Sequence, residues 1–258
     1  MQTSAMLKDI NAAPNQDDLR LSVGCSAHEI TLWLTLQELS RARSEHDAPM
    51  LTSAEHTVPA NTNICHPATW YDVVPVISSG WAMSSVMLPD GRQQILSFLL
   101  PGEIVSTALV FGPTAGRLVQ SITKVSYRTF NRSELKTALS RHPELLEKFS
   151  KVWIAEKAEA DQLAIDLGRR TADERLARLI LRLSQRLAKR GMAQGRTMEF
   201  PLRQHQIADA TGLTPVHVSR VLGNYRRKGL IEINGRSLTI LDANGLLRIA
   251  NLQSPQTS

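Results

Sequence analysis

Apolar and polar residues follow different patterns along the chain, and each pattern predicts a different kind of element. Residues 28–43 carry apolar side chains at helical spacing, which predicts a helix that packs its apolar face on the next part of the chain. Residues 57–130 contain short apolar runs separated by turn residues, a pattern typical of short strands. From residue 143 onward the spacing is mostly helical again, so the chain is predicted to be α+β. The apolar positions of the first helix are Ile30, Trp33, Leu34 and Leu36.

Turn residues divide the middle region into several predicted strands. Pro75 interrupts the first of them, and Pro89-Asp90-Gly91 supplies hairpin turn chemistry, with glycine where φ is positive. Several short strands at this spacing predict a small antiparallel barrel or roll. The runs are residues 73–77, 81–88, 94–100 and 118–130.

The next helical segment is long and carries one polar interruption, Glu156. It begins at Pro143, ends near Gly168 and spans about 37 Å at 1.5 Å per residue, which is too long for burial inside a small roll. Pairing with a second copy of the chain would cover its apolar stripe, and packing within one chain is the alternative. The stripe consists of Leu145, Phe149, Val152, Trp153, Ala160, Leu163 and Leu167.

A capping box from Thr171 to Glu174 opens a further helix, which Gly191 ends. We interpret residues 192–198 as a linker. The last turn of this helix carries three cations, which interact favourably with the helix dipole there: Arg186, Lys189 and Arg190.

Residues 202–229 predict two short helices joined by a tight turn. The first covers residues 204–209, and Gly212 then supplies the positive φ at which the chain turns. Thr214 caps the second helix, and Pro215 occupies its first position. This combination is the helix-turn-helix pattern, whose second helix enters the DNA major groove. A helical hairpin in an ordinary core is the alternative.

A β-hairpin and an uneven charge distribution favour the DNA-binding interpretation. The hairpin covers residues 230–241 around Asn234-Gly235 and completes the order of elements of a winged-helix domain. Residues 171–258 contain 14 Lys/Arg against 6 Asp/Glu, whereas residues 1–170 contain 16 against 18. The basic excess of a chain with net charge +6 therefore lies around the helix-turn-helix, where phosphate binding needs it.

The remaining bulk properties narrow the class of protein. The 258 residues fit about two domains. The sequence has neither an apolar run of about 20 residues, as a membrane span needs, nor the apolar core of a signal peptide, so we expect a cytoplasmic protein. Cys25 and Cys65 are too few for a disulfide framework and lack metal-ligand spacing.

Four stretches carry a resemblance to a known family. They are SGWAMSSVMLPDGRQQILSFLLPGEIV, LSRHPEL, LGRRTADERLARLILRL and IADATGLTPVHVSRVLGNYRRKGLIEINGRSLTIL. With them the chain resembles the Crp–Fnr family of bacterial transcription regulators over nearly all of residues 50–250. The resemblance implies a cyclic-nucleotide-binding-like β-roll, a dimerising helix and a C-terminal winged helix. It also implies a homodimer that binds near-palindromic promoter sites and contacts RNA polymerase.

Departures from the family pattern bear on cofactors. Members that bind cyclic AMP hold it with a Gly-Glu-Leu segment and a following Arg-Ser/Thr, whereas here residues 105–108 read Val-Ser-Thr-Ala and Arg117 precedes Leu118. A buried cyclic phosphate needs a positive partner and backbone donors, so we do not expect cyclic AMP. Oxygen-sensing members hold an iron–sulfur cluster with four cysteines, which two cysteines cannot replace.

The sequence therefore predicts no cofactor, with two alternatives left open. One is a redox role for Cys65 or Cys25. The other is a haem, whose candidate ligands are His28, His46, His56 and His66.

The second helix of the helix-turn-helix presents the candidate DNA contacts. Arg220 is the predicted guanine contact, because its planar fork matches O6 and N7. Val216 stands where the family often has a glutamate that reads cytosine, which implies an altered site preference and an apolar contact with a thymine methyl. Gln204 and His205 are placed for phosphate contact. Further cations add charge at the far end of the second helix and in the wing, or form a solvated basic edge: Arg226, Arg227, Lys228 and Arg236. The predicted DNA-binding set is Gln204, His205, Thr214, Pro215, Val216, His217, Ser219, Arg220, Arg226 and Arg236.

The predicted function is a sequence-specific transcription regulator whose roll senses an unidentified ligand or none. One alternative is a regulator without an effector, controlled by its own abundance or a protein partner, and another is an architectural DNA-binding protein. A cupin-like enzyme would need a His/Glu metal cluster, and residues 73–130 contain no histidine, so we do not expect an enzyme. The predicted parts are a leader (1–25), a sensor domain (26–139), a dimerisation helix (140–168), a winged helix (169–250) and a tail (251–258).

Overall fold

The structure, a computed structural model, describes residues 25–41, 51–65, 72–112 and 117–251. Its first element is helix α1, Cys25–Arg41, which packs against the long helix of the molecule. Leu32 and Leu36 are buried on its inner face. Leu34 is 51% exposed, so the sequence-based assignment of that residue to the packed face is wrong. Most of the predicted leader lies outside the described residues.

Two antiparallel sheets confirm the predicted roll. The described strands are β1 (Ser53–Val58), β2 (Asn63–Cys65), β3 (Val73–Ser79), β4 (Ala82–Met87), β5 (Gln93–Leu99), β6 (Arg117–Ser121) and β7 (Val125–Asn131). One sheet has the order β1-β7-β3 and the other the order β2-β6-β4-β5. The strands begin at Ser53, earlier than predicted, and the run 118–130 is two strands in different sheets.

Pro75 lies inside β3 without interrupting it, contrary to the prediction. It pairs with Thr129 of β7, and its carbonyl accepts a hydrogen bond from Val105 N on the opposite side, 3.0 Å away. Nitrogen and carbonyl of one strand residue point to the same side, so the missing N–H faces away from β7. The ladder between β3 and β7 therefore loses no hydrogen bond.

A short 3-10 helix (Thr107–Val110) and two α-helices follow the sheets or connect their strands: α2 (Arg132–Arg141) and α3 (Pro143–Arg169). The predicted stripe of α3 divides between two faces. Leu145, Phe149 and Val152 are buried in the core of the roll, whereas Trp153 is 55% exposed. At 3.6 residues per turn, Trp153 points about 100° away from Val152, which turns it from the core of the roll toward solvent.

Helix α4, Ala172–Lys189, begins with the predicted capping box. Thr171 Oγ1 accepts from Glu174 N, and the Glu174 carboxylate accepts from Thr171 N at 2.7 Å. The prediction of a linker after α4 is wrong, because this segment forms strands β8 (Ala193–Gln194) and β9 (Thr197–Glu199). Strands this short leave little pattern in a sequence.

The helix-turn-helix prediction is confirmed by α5 (Gln204–Thr211) and α6 (Pro215–Arg227). The wing is formed by β10 (Ile231–Asn234) and β11 (Ser237–Ile240), and its sheet has the order β10-β11-β9-β8. Asn234 pairs with Ser237, so the loop is shifted by one residue from the predicted turn. Helix α7 (Ala243–Ile249), which was not predicted, packs on α4.

The roll and the winged unit share one apolar core. Trp81, Met83, Ile95 and Phe98 of the roll cluster with buried residues of α4, α5 and α6. The position of the winged unit is therefore fixed by packing as well as by the chain connection. Among the described residues, no helix is both long and apolar enough to cross a membrane.

Candidate nucleic-acid interface

The turn of the helix-turn-helix rests on the end of α3. Gly212 has φ +64°, and a Cβ there would lie 3.0 Å from Leu167 Cδ2 and 3.3 Å from Arg175 Nη1. Leu213 N donates to Ala208 O at 3.0 Å and closes the end of α5. Glycine is needed for the positive φ and for the close approach to α3.

Capping and burial fix the orientation of α6. Thr214 Oγ1 accepts from His217 N at 3.2 Å, and Pro215 takes the first helical position, where its missing N–H costs nothing. On the inner side, Tyr225 is fully buried and its hydroxyl donates to Asp173 O at 2.6 Å. Burial raises the pKa of Tyr225, so the hydroxyl keeps its proton and anchors α6 to α4.

The outer side of α6 and the start of α5 form a shallow groove that we call the reading face. Val216 is 71% exposed there, so its methyl groups are free to contact a ligand. The groove brings together five of the predicted DNA-binding residues and adds two others. Its lining residues are Gln204, Pro215, Val216, Ser219, Arg220, Gly223 and Arg227.

The other predicted DNA-binding residues lie outside this groove. The Thr214 hydroxyl oxygen is engaged as a helix cap, and His217 is half-buried. His205 and Arg226 are exposed. Arg236 is in the wing, 3.5 Å from Glu199.

Arg227 is the cation that sequence reasoning placed at the margin rather than on the reading face. It follows Arg220 by seven residues, which is almost two helical turns, so the two side chains lie on one face. Arg226 is turned about 100° away. The helical spacing between Arg220 and Arg227 is the sequence pattern from which this placement could have been predicted.

Two arginines of the basic C-terminal third are largely shielded from solvent at the contact with the roll. Arg186 Nη2 donates to Glu103 Oε2 at 2.5 Å, and Arg190 Nη2 donates to Glu103 Oε1 at 2.5 Å. Arg190 also pairs with Glu29 of α1 at 2.5 Å. We call Glu29, Glu103, Arg186 and Arg190 the junction cluster.

The junction cluster joins α1, the roll and α4. Arg186 donates to Phe98 O at 2.6 Å and Arg190 donates to Pro101 O at 2.9 Å, so backbone as well as carboxylate is engaged. Burial acts to raise the pKa of Glu103, but the two guanidinium groups outweigh it and hold that pKa below its usual range. These arginines belong to the basic excess, yet they bind the protein itself.

A second buried pair lies between α3 and α4. Arg178 Nε donates to Asp166 Oδ1 at 2.8 Å, and Arg182 lies 3.4 Å from the same carboxylate. Asp166 and Arg178 are both nearly inaccessible to solvent. The overall charge of the C-terminal third therefore overstates the charge that faces DNA.

A cavity of about 350 Å³ lies between β5, α3 and α4. Arg117, Glu156 and Glu159 line it. Of the candidate haem ligands, His56 is the one whose side chain is described: it stacks on Tyr127, with ring centres 5.0 Å apart, and its Nε2 lies 3.2 Å from Thr129 Oγ1. The other histidines named for a haem, and the side chains of both cysteines, lie outside the described part. Within it, no three His, Cys, Asp or Glu side chains are grouped as a metal site.

Comparison with known proteins agrees with this geometry. The family model of the Crp-like helix-turn-helix domain matches residues 174–249. The nitrogen fixation regulation protein FixK of Bradyrhizobium diazoefficiens is 33% identical over 160 residues, which cover 60% of this chain and 65% of that relative, slightly under two thirds of its length. FixK of Rhizobium meliloti is 31% identical over 180 residues, 68% of this chain and 77% of the relative. The solved structure of FixK2 from Bradyrhizobium japonicum has a TM-score of 0.68 and 28% identity, over 77% of this chain and 98% of that one.

Proposed function

Because this chain belongs to the Crp–Fnr family of transcription regulators, we propose that it binds near-palindromic promoter sites as a homodimer. As a regulator at promoters it would contact RNA polymerase, act in the cytoplasm and carry out no catalysis. The observation that carries the proposal is the reading face, an exposed groove that holds Arg220 and Arg227 on a helix whose other side is locked to the core.

The composition of the reading face supports a specific mode of base recognition. Arg220 has the planar fork that fits the major-groove edge of guanine. Val216 projects one turn before it and suits the methyl group of thymine. Gln204, at the start of α5, and Arg227, at the far end of α6, suit the flanking phosphates.

Exposed apolar side chains on α3 support dimerisation through this helix. Trp153 and Ile154 are 55% and 68% exposed, and Phe111 from the roll, 58% exposed, lies beside Trp153 with ring centres 6.1 Å apart. Large apolar side chains grouped at a surface are typical of a protein interface. A second copy of α3 would cover them and would place two reading faces side by side.

Analytical ultracentrifugation of the wild type and Trp153→Glu tests the dimer. We expect a wild-type dimer and a dissociated variant, because the change puts a charge into the apolar interface. Lys151→Glu, exposed about half a turn around α3 from Trp153, is the matched control and should remain dimeric. A monomeric wild type would contradict the proposal.

Fluorescence anisotropy tests sequence-specific binding. The full chain is titrated into an operator duplex, obtained by selection from random DNA, and into a scrambled duplex of the same composition. Specific regulators bind their sites about 10³-fold or more above nonspecific DNA. Equal affinities would favour the architectural alternative.

A second candidate, regulation without a small effector, is favoured by the segment at residues 105–108. This segment lacks the glutamate that cyclic-AMP-binding members of the family use. In this case abundance or a protein partner would control activity. Anisotropy with and without added cyclic nucleotide tests this: control by a cyclic nucleotide predicts a rise in operator affinity, whereas specific operator binding by the ligand-free chain favours the second candidate.

A further inference from the structure

Glu156, the polar interruption in the apolar stripe of α3, reaches into the roll. Thr107 N donates to Glu156 Oε1 at 3.1 Å and to Oε2 at 3.2 Å, and the Thr107 hydroxyl also donates to Oε2. Thr107 is 1% exposed and begins the 3-10 helix of the roll. Two donors of one buried roll residue are therefore bound by one carboxylate of α3.

The surroundings of this carboxylate make it costly to bury. Burial raises the pKa of Glu156, although the hydrogen bonds from Thr107 and the charge of Arg117 act in the opposite direction. An apolar residue would fill the same position in the stripe at a lower desolvation cost. A carboxylate kept here is thus better explained by what it binds than by packing alone.

The place of the contact points to its role. Thr107 lies in the segment that corresponds, by family resemblance, to the cyclic-AMP-binding Gly-Glu-Leu segment. The contact lies beside the cavity between the roll and α3. At this place a side chain of α3, Glu156, is hydrogen-bonded directly to Thr107 of the roll.

We propose that Glu156 is a positioning residue that joins the roll to the dimerisation helix through Thr107, so that operator binding needs no small-molecule effector. The contact holds α3 in one position relative to the roll, and α3 in turn supports the helix-turn-helix at Gly212. This inference rests on the proposed function and deepens its effector-independent form.

Operator binding by the ligand-free full chain tests the proposal, with anisotropy as the measurement. Glu156→Ala should weaken specific binding about tenfold or more, because it leaves the buried Thr107 N–H without an acceptor. Glu156→Gln should stay within about threefold of the wild type, since an amide oxygen accepts the same hydrogen bond. Glu159→Ala, the same change one turn along α3 in the same cavity, should also stay within about threefold.

A double-mutant cycle separates this contact from a general loss of structure. Thr107→Ala should weaken binding in the wild type and have little further effect in Glu156→Ala, because the two side chains act through one contact. Circular dichroism and melting accompany each variant. If Glu156→Ala does not fold, the test uses Thr107→Val, which removes the hydroxyl at constant shape. Weaker operator binding than that of the wild type supports the contact, and equal binding contradicts it.

The outcomes are distinguishable from those of the proposed function. Wild-type affinity that is equal for operator and scrambled DNA contradicts the proposed function itself. Specific binding that requires an added cyclic nucleotide, or a folded Glu156→Ala that binds as the wild type does, leaves the regulator intact and overturns the positioning role.

Discussion

The reading face and the junction cluster both contain two arginines from the C-terminal third of the chain, but the arginines have different partners. On the reading face Arg220 and Arg227 line an exposed groove. In the junction cluster Arg186 and Arg190 are nearly buried and share the carboxylate of Glu103. The same type of side chain therefore faces solvent in one place and is paired within the protein in the other.

This difference teaches that net charge identifies a DNA-binding segment without identifying the contacts. An exposed guanidinium contributes to binding when phosphate or a base edge approaches. A buried one must be paired within the protein, because an uncompensated charge in the interior is strongly destabilising. Changes in the two regions should accordingly affect different measurements.

Glu103→Ala should have the largest effect. It should lower the free energy of unfolding by about 3–5 kcal/mol, because two buried guanidinium groups lose their shared carboxylate. Chemical denaturation of the full chain measures the loss. Glu199→Ala removes the exposed partner of Arg236 and should cost less than about 1 kcal/mol. Similar losses in both variants would be inconsistent with the junction cluster as described.

Arg220→Ala should leave the free energy of unfolding unchanged and weaken operator binding by about 1–3 kcal/mol. Specificity should relax at one base position, because a bidentate guanine contact is lost. Anisotropy with single-base operator variants measures both effects. Arg248→Ala, an exposed arginine of α7 away from the reading face, is the control. Unchanged base preference in Arg220→Ala would remove this residue from the specific contacts.

Arg227→Ala should have a smaller and uniform effect. We expect operator and scrambled DNA to be weakened alike, with the slope of log affinity against log salt reduced by about one, because a phosphate contact is lost. Arg226→Ala is the informative comparison, since Arg226 is the chain neighbour of Arg227 but lies outside the groove. A larger effect of Arg226→Ala would favour the assignment made from sequence over that made from structure.

Acidification should have the smallest effect of these tests, a loss of the stability that the ionised Glu103 gives to the junction cluster. The pKa of Glu103 is held below its ordinary value of 4.5, so the ionised carboxylate adds stability above that value. This stability is lost as pH falls through the lower folded-state pKa. Melting temperatures between about pH 3 and 6 should therefore fall more steeply for the wild type than for Glu103→Gln. Parallel curves would show that the ionisation of Glu103 does not contribute.

Local chemistry explains which elements could be predicted. Helix caps contact backbone groups only a few residues away, so sequence alone locates the helix ends that they form. The caps concerned are Thr171 with Glu174, Gly212, and Thr214 with Pro215. The helix-turn-helix was therefore predicted nearly residue by residue.

Contacts between distant segments explain the rest. Glu103 and Arg186 are 83 residues apart, and no pattern near either residue indicates that they meet. Arg186 and Arg190 were consequently assigned to the helix dipole alone. The position of Pro75 at a strand site whose N–H would face away from β7 likewise depends on the sheet order. The membership of Arg227 in the reading face, by contrast, follows from helical spacing and was available from the sequence.

Selection of binding sites from a random duplex library by the purified, nucleotide-free full chain tests the central claim most directly. Two reading faces related by a dimer axis predict an enriched two-fold symmetric motif, with half-site centres about 34 Å apart, one turn of DNA. An enriched motif with a single unpaired half-site, or no enriched motif at all, would contradict the account.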